Sequence, residues 1–312
     1  MRSLKALAIF LISLFHQSIC QNIVQIYKDL SLTVQGECGL FVISVNYTIN
    51  GNQATDTVTA KLNSLVEKDS NGIAIEDLNH TFTDFCGLNF TTVEYSQNLW
   101  NNTNFVIQSS ANITSRASAA ITVYAVLFTV DGIIETGANE TVQFKPGYVK
   151  FAYEIDNWPF CTNSLENCQG INCCLQGNGT QIGAYLDLSF EVQGNQNATS
   201  QDNLTYDLGN SDLILSRFAL TDNDDTPQLM PNDPLFQSQG NSNSSVFTVR
   251  LPAFNSMGVY DPFVSMKNID RSNSSRYTGL IIGIIAVIIA LLLAFFVFRY
   301  FRRSKIQENL IA

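Results

Sequence analysis

The stretch Thr278–Phe298, TGLIIGIIAVIIALLLAFFVF, narrows most what this chain can become. It carries no charged side chain, and at about 1.5 Å of rise per helical residue it reaches roughly 31 Å, the thickness of a bilayer's hydrocarbon core. Lipid offers a backbone no hydrogen bonds, so a segment this long and apolar on every face is expected to span as a helix. The residues before it then lie on one side of a membrane and those after it on the other.

The flanks set the orientation. Arg299, Arg302, Arg303 and Lys305 follow the helix, as the positive-inside rule requires of a cytoplasmic end. At the other end of the chain, Arg2 and Lys5 precede the apolar run Ala6–Phe15. Ser18 and Cys20 occupy the small-residue positions of a cleavage site before Gln21. That apolar run is too short to span, which favours a cleaved signal peptide over an anchor. A lipid-anchor signal is excluded at the C-terminus by the basic tail beyond the hydrophobic segment. The expected product is a type I single-pass protein. Its organisation reads as signal peptide 1–20, N-terminal β domain 21–145, C-terminal β domain 146–267, juxtamembrane stalk 268–277, spanning helix 278–298 and cytoplasmic tail 299–312.

Charge is lopsided between these regions. Setting aside six cationic residues at the two ends and the single Glu308, the 17 Lys plus Arg and 27 Asp plus Glu of the chain become 11 against 26 over Gln21–Tyr277. Such a surface repels nucleic acid and anionic lipid headgroups, which argues against both as partners of the ectodomain. Asn-x-Ser/Thr sequons occur at Asn46, Asn79, Asn89, Asn101, Asn112, Asn139, Asn178, Asn197, Asn203, Asn243 and Asn273. All fall between the signal peptide and the membrane segment, which predicts a heavily glycosylated, exposed surface.

With Cys20 removed, Cys38, Cys86, Cys161, Cys168, Cys173 and Cys174 remain. An even count in an oxidising compartment predicts three disulfides. Cys38 and Cys86 are alone in the N-terminal half and stand in similar Cys-Gly-Leu settings, so they are expected to pair. The other four would form two bridges, with Cys173 and Cys174 each bonded to Cys161 or Cys168 rather than to each other. A zinc site needs paired CxxC spacings or added His ligands, and neither accompanies these cysteines.

Strand signals fill the ectodomain. Ile23–Val34, Leu40–Ile49, Phe105–Ile113 and Val246–Leu251 are rich in β-branched and aromatic residues, with Asn50-Gly51 as a turn. Thr57–Leu65 reads as strand or short helix. Ala119–Val130 is apolar on both faces and predicts a central, fully buried strand, followed by an Asp131-Gly132 hairpin turn into Ile133–Glu135. Lys145-Pro146-Gly147 is the candidate domain boundary. Beyond it, Val149, Phe151, Tyr153 and Ile155 alternate with polar residues, as do Leu186, Leu188, Phe190 and Val192. Leu213–Leu220 adds a strand, whereas Gly194–Asn203 and Thr221–Ser245 read as long polar connections. The expected fold class is an all-β ectodomain, a β-sandwich of one or two domains, plus a single transmembrane α-helix.

Candidate chemistry is sparse. His80 is the one ectodomain histidine and sits inside a sequon, where a solvated loop residue is expected; no catalytic triad or histidine metal pair can be built on it. Glu154 and Asp156 could serve a carboxylate hydrolase, but their alternation with apolar residues predicts a solvated strand face. Asp222-Asn223-Asp224-Asp225-Thr226-Pro227 begins like a calcium loop and places Pro227 where such a loop needs Gly. Trp158 and Phe160, flanking Pro159, offer a contact patch at a strand end, or Trp158 caps the core. Within the spanning segment Gly279, Gly283, Ala286, Ala290 and Ala294 line one helix face and suit close helix–helix contact, in a homodimer or with another membrane subunit. Glu308-Asn309-Leu310-Ile311 resembles an acidic dileucine sorting signal with shortened spacing.

No catalytic or metal-ligating set and no cofactor emerges. The sequence favours a non-enzymatic plasma-membrane glycoprotein acting by protein contact, in adhesion, recognition or as an accessory subunit, with its extracellular protein ligand unspecified. A luminal secretory or lysosomal trafficking or cargo protein of the endomembrane system is the second reading. A membrane-tethered carboxylate hydrolase is the third.

Overall fold

A computed structural model describes residues 23–267 except 28–29, 36–37, 50–51, 76–79, 100–101, 114–118, 138–139, 162–174, 177–178, 181, 223–225 and 239–242. The described residues are all-β: apart from 3-10 turns at His80 and at Phe85–Gly87, every regular element among them is a strand. None of those residues forms a helix long and apolar enough to cross a membrane, and Thr278–Phe298 lies outside them.

Two large sheets dominate. The first contains, in spatial order, β1 (Ile23–Tyr27), β2 (Leu30–Gln35), β3 (Leu40–Ile49), β4 (Asn52–Lys68), β14 (Tyr185–Gln193), β21 (Ser244–Pro252) and β20 (Leu235–Ser238), with β5 (Thr81–Phe82) beside β4. The second runs β15 (Thr199–Ser200), β16 (Thr205–Asp207), β17 (Ser211–Ile214), β23 (Phe263–Met266), β11 (Tyr148–Asp156), β22 (Met257–Tyr260), β18 (Phe218–Thr221) and β19 (Gln228–Leu229). It continues from β11 through β8 (Ala120–Leu127) and β7 (Asn102–Asn112) to β6 (Thr91–Leu99). Two short ladders complete the set: β9 (Gly132–Gly137) with β10 (Glu140–Phe144), and β12 (Leu175–Gln176) with β13 (Gly179–Thr180).

The period-two alternation of the sequence becomes the main core. From the first sheet come Phe41, Ile43, Leu188, Phe190, Phe247 and Val249; from the second come Ile121, Val123, Phe151, Tyr153, Tyr260 and Val264, all in one apolar cluster. Aromatic rings join the two sheets directly. Phe41 lies 5.5 Å from Phe151 and Phe190 lies 5.4 Å from Tyr153, centroid to centroid.

The expected boundary at Lys145–Gly147 falls between β10 and β11. Strands from its two sides pair directly, β4 with β14 and β8 with β11, and contribute to the same core. The two-faced apolarity of Ala119–Val130 is explained as expected. β8 lies between β7 and β11; Ile121, Val123 and Ala125 enter the main core, while Val126 and Phe128 enter a second cluster with Ile134 and Phe144 of the β9–β10 hairpin.

Three expectations are corrected. Gly132 leads not into a β8 hairpin but into a pairing of β9 with β10, because both edges of β8 are taken. Gly132 also lies under the Phe144 ring, where an added Cβ would come within 2.1 Å of it. Leu213–Leu220 is not continuous but breaks into β17 and β18, and at the break Ser216 N–H donates to the Tyr260 hydroxyl at 3.2 Å. The polar connections Gly194–Asn203 and Thr221–Ser245 contain strands of their own, β15, β19 and β20.

Candidate functional site

Where β4 ends, the inward alternation of Leu62 and Leu65 continues to a carboxylate. Glu67 occupies a core-facing position and is 0% exposed. A bare buried carboxylate would be very costly, so its partners define the site. His80 Nδ1 lies 2.5 Å from Oε2, the Trp158 indole N–H donates to the same oxygen at 3.1 Å, and the Cys161 backbone N–H donates to Oε1 at 2.7 Å. His80 is likewise 0% exposed and Trp158 only 3%. The surrounding backbone is stitched to the same strand end: Ile75 N–H donates to the Glu67 carbonyl at 3.1 Å, and Gly183 N–H to the Cys161 carbonyl at 3.0 Å.

One reading of the sequence changes here. His80 is not a solvated loop residue; it is sealed against Glu67 because the buried carboxylate draws the imidazole in. Of the two alternatives for Trp158 the structure takes the core-capping one: its indole donates to Glu67 and its ring packs into the main core. Phe160 packs edge-on against Phe254 with centroids 5.1 Å apart.

A Glu67 oxygen, a His80 nitrogen and the Cys161 sulfur come within 4.8 Å of one another, the spacing of a metal site. The donor chemistry does not fit one. Cys161 is disulfide-bonded and offers no thiolate, and both Glu67 oxygens already accept hydrogen bonds. The arrangement instead fastens the start of the cysteine-rich loop to the end of β4.

A family model described as acidic skeletal organic matrix protein matches residues 49–205, half of the 312-residue chain. The chain belongs to this family. The matched span contains every member of the Glu67 cluster. In this member of the acidic skeletal organic matrix family the Glu67 cluster is closed to solvent.

The remaining cysteines divide. Cys38 and Cys86 form the expected disulfide, joining the turn before β3 to the 3-10 turn. The partner of Cys161 is not among the described residues, and Cys168, Cys173 and Cys174 lie outside them. Of the sequon asparagines, Asn46, Asn89, Asn112, Asn203 and Asn243 are exposed and Asn197 is half-buried. Asn79, Asn101, Asn139, Asn178 and Asn273 lie outside the described residues, as do Gly279, Gly283, Ala286, Ala290 and Ala294.

None of the sequon asparagines falls within β4, β14, β21 or β20. The outward side chains of the first three strands form a cross-strand polar lattice. Arg250 grips Asp187 through two hydrogen bonds of 2.6 and 2.8 Å, Lys61 lies 3.0 Å from Glu191, and the Ser189 and Thr248 hydroxyls meet at 2.7 Å.

Glu154 and Asp156 lie side by side on the outward face of β11. Burial, then the neighbouring Asp156 charge, pushes the Glu154 carboxyl up, and the Tyr124 hydroxyl donates to it at 3.2 Å. Burial also raises Asp156. Of the calcium-like run 222–227, residues 223–225 lie outside the described residues, and Asp222 is engaged by the β21–β22 turn. Its carboxylate accepts from the backbone N–H groups of Ser256 at 2.8 Å and Asn255 at 2.5 Å, which hold it below its ordinary range. Sequence reasoning missed the Glu67 cluster, although an acidic residue on the inward phase of an otherwise apolar strand face was its visible sign.

Proposed function

We propose that this chain is a type I single-pass cell-surface glycoprotein whose β-sandwich ectodomain works by contact with an extracellular organic matrix rather than by catalysis. The observation that carries the reading is the sequon-free outer face of β4, β14, β21 and β20. Glycans anchored on the neighbouring segments leave that face bare, and its cross-strand pairs give a hydrogen-bonding surface suited to a polar partner. The family description, acidic skeletal organic matrix protein, supplies the partner class. The helix over 278–298 holds the ectodomain at the plasma membrane and pairs through its Gly279 and Gly283 face.

A glycan wedge tests this. Lys61→Asn combined with Asn63→Thr puts a new sequon in the middle of the face. Cells displaying the full chain are expected to adhere to immobilised skeletal organic matrix and to lose that adhesion in the variant while surface abundance is unchanged. Adhesion that survives an occupied new sequon sinks the reading.

A further inference from the structure

Between the β9–β10 hairpin and the rim of the second sheet lies a cleft of about 610 Å³, within the size range of small-ligand sites. Val142, Leu204 and Leu215 give it apolar wall, while Thr141, Ser216 and Arg217 give it polar groups. Arg217 Nε lies 3.0 Å from an Asp233 carboxylate oxygen, a partly exposed ion pair without hydrogen-bond geometry. Asn203, an exposed sequon asparagine, is itself part of the lining.

The local backbone presents Asn203 deliberately. The Asp202 carboxylate accepts from the N–H groups of Leu204 at 2.8 Å and Thr205 at 2.6 Å, closing a turn with Asn203 at its tip. These same bonds hold the Asp202 carboxyl below its ordinary range, so the turn is set wherever Asp202 is ionised. Thr205, the hydroxyl residue of this sequon, lines the cleft too.

We propose that the cleft seats the first sugars of an N-glycan carried by Asn203. A pyranose ring has apolar C–H faces and a hydroxyl rim, which matches a cleft lined both by Leu204 and Leu215 and by Arg217 and Thr141. Covalent attachment at the rim makes binding intramolecular, so contacts too weak to capture free sugar suffice to seat an attached one. A seated glycan is shielded from processing enzymes, whereas glycans on the exposed Asn46, Asn89, Asn112 and Asn243 stand in solvent. The inference rests on the glycoprotein reading above and adds which glycan is bound and where.

The test is site-specific glycopeptide mass spectrometry on the full chain made in a secretory host that builds complex glycans. Asn203 is expected to keep mainly oligomannose glycans, at several-fold the fraction found at Asn46 or Asn243. Endoglycosidase is expected to remove them from denatured but not from native protein. Arg217→Ala, which removes the polar wall, and Val142→Trp, which fills the cleft, are each expected to bring Asn203 processing to the level of the exposed sites. Processing at Asn203 equal to that at Asn46 in the unaltered chain overturns the inference and leaves the glycoprotein reading standing. So does protection at Asn139 instead, or protection that persists in both variants. Absence of glycan at every sequon overturns both.

Discussion

A methyl group placed on Gly183 would lie 1.8 Å from Oε1 of Glu67. The glycine is there for space, since the backbone must pass against a buried carboxylate that three donors already surround. Gly183→Ala is expected to cost about 1–3 kcal/mol, the usual penalty for overpacking. Glu67→Ala strips the acceptor from His80, Trp158 and Cys161, and about 3–5 kcal/mol is expected. The two changes should not add. In the Glu67→Ala background the Gly183 methyl meets no oxygen, so its cost should shrink in a double-mutant cycle read by chemical denaturation.

The Glu154 carboxyl is pushed above its ordinary value of 4.5 by burial and by Asp156 and Asp261. A carboxyl raised on folding favours the folded state when protonated. Its contribution is full below the unfolded pKa and is lost as pH rises through the folded one. Glu154→Gln keeps an acceptor for Tyr124 and removes the charge. Denaturation midpoints should show the variant more stable at pH 7, by no more than about 0.5 kcal/mol for this partly exposed site. The gain should vanish below about pH 4.

Asp222 has the opposite sign. The Ser256 N–H first, and then that of Asn255, hold its carboxyl below the ordinary 3.8, so its stabilisation is present above that value and fades as pH falls through the folded pKa. Asp222→Ala should cost about 1 kcal/mol at pH 7 through lost caps on the β21–β22 turn. It should also flatten the acid limb of a stability profile recorded below pH 4.

Replacing Cys38 and Cys86 together by Ser opens a loop with a sequence separation of 48 residues. Loop-closure entropy predicts a loss of about 3–4 kcal/mol. Thermal unfolding of the double variant against the unaltered protein, both without reductant, checks it. A change in melting temperature within error would mean that the sheets alone hold this edge together.

Much of the fold was legible because strand alternation is a local signal. Val149 to Ile155 and Leu186 to Val192 declared their buried faces, Ala119–Val130 declared a strand covered on both sides, and the matching Cys-Gly-Leu settings of Cys38 and Cys86, alone in the N-terminal half, pointed to their bond. Strand partners were not legible. That β4 lies beside β14 and β8 beside β11, across a suspected boundary, depends on contacts far apart in sequence that no window of residues displays. The Glu67 cluster was hidden for the same reason. Glu67, His80 and Trp158 come together only when β4, the segment before β5 and the loop after β11 converge. Singly, His80 reads as a loop histidine and Trp158 as a strand-end aromatic, and Glu67 carries no motif that singles it out.

The last described strand, β23, is an interior one. It bonds to β17 through Ser211–Ile214 on one side and to β11 through Tyr148–Lys150 on the other. Just beyond it, Lys267 is pinned by Asp207 at 2.6 Å, by Asp212 at 2.9 Å and by the Asn210 carbonyl. Tension applied to the chain past Lys267 therefore enters the sheet at its middle, where two ladders and an ion-pair clamp must yield together. β1, at the margin of the first sheet, hangs on β2 alone in its ladder. The fold is mechanically polar: load entering past Lys267 meets two ladders and an ion-pair clamp, whereas load entering at β1 meets one ladder.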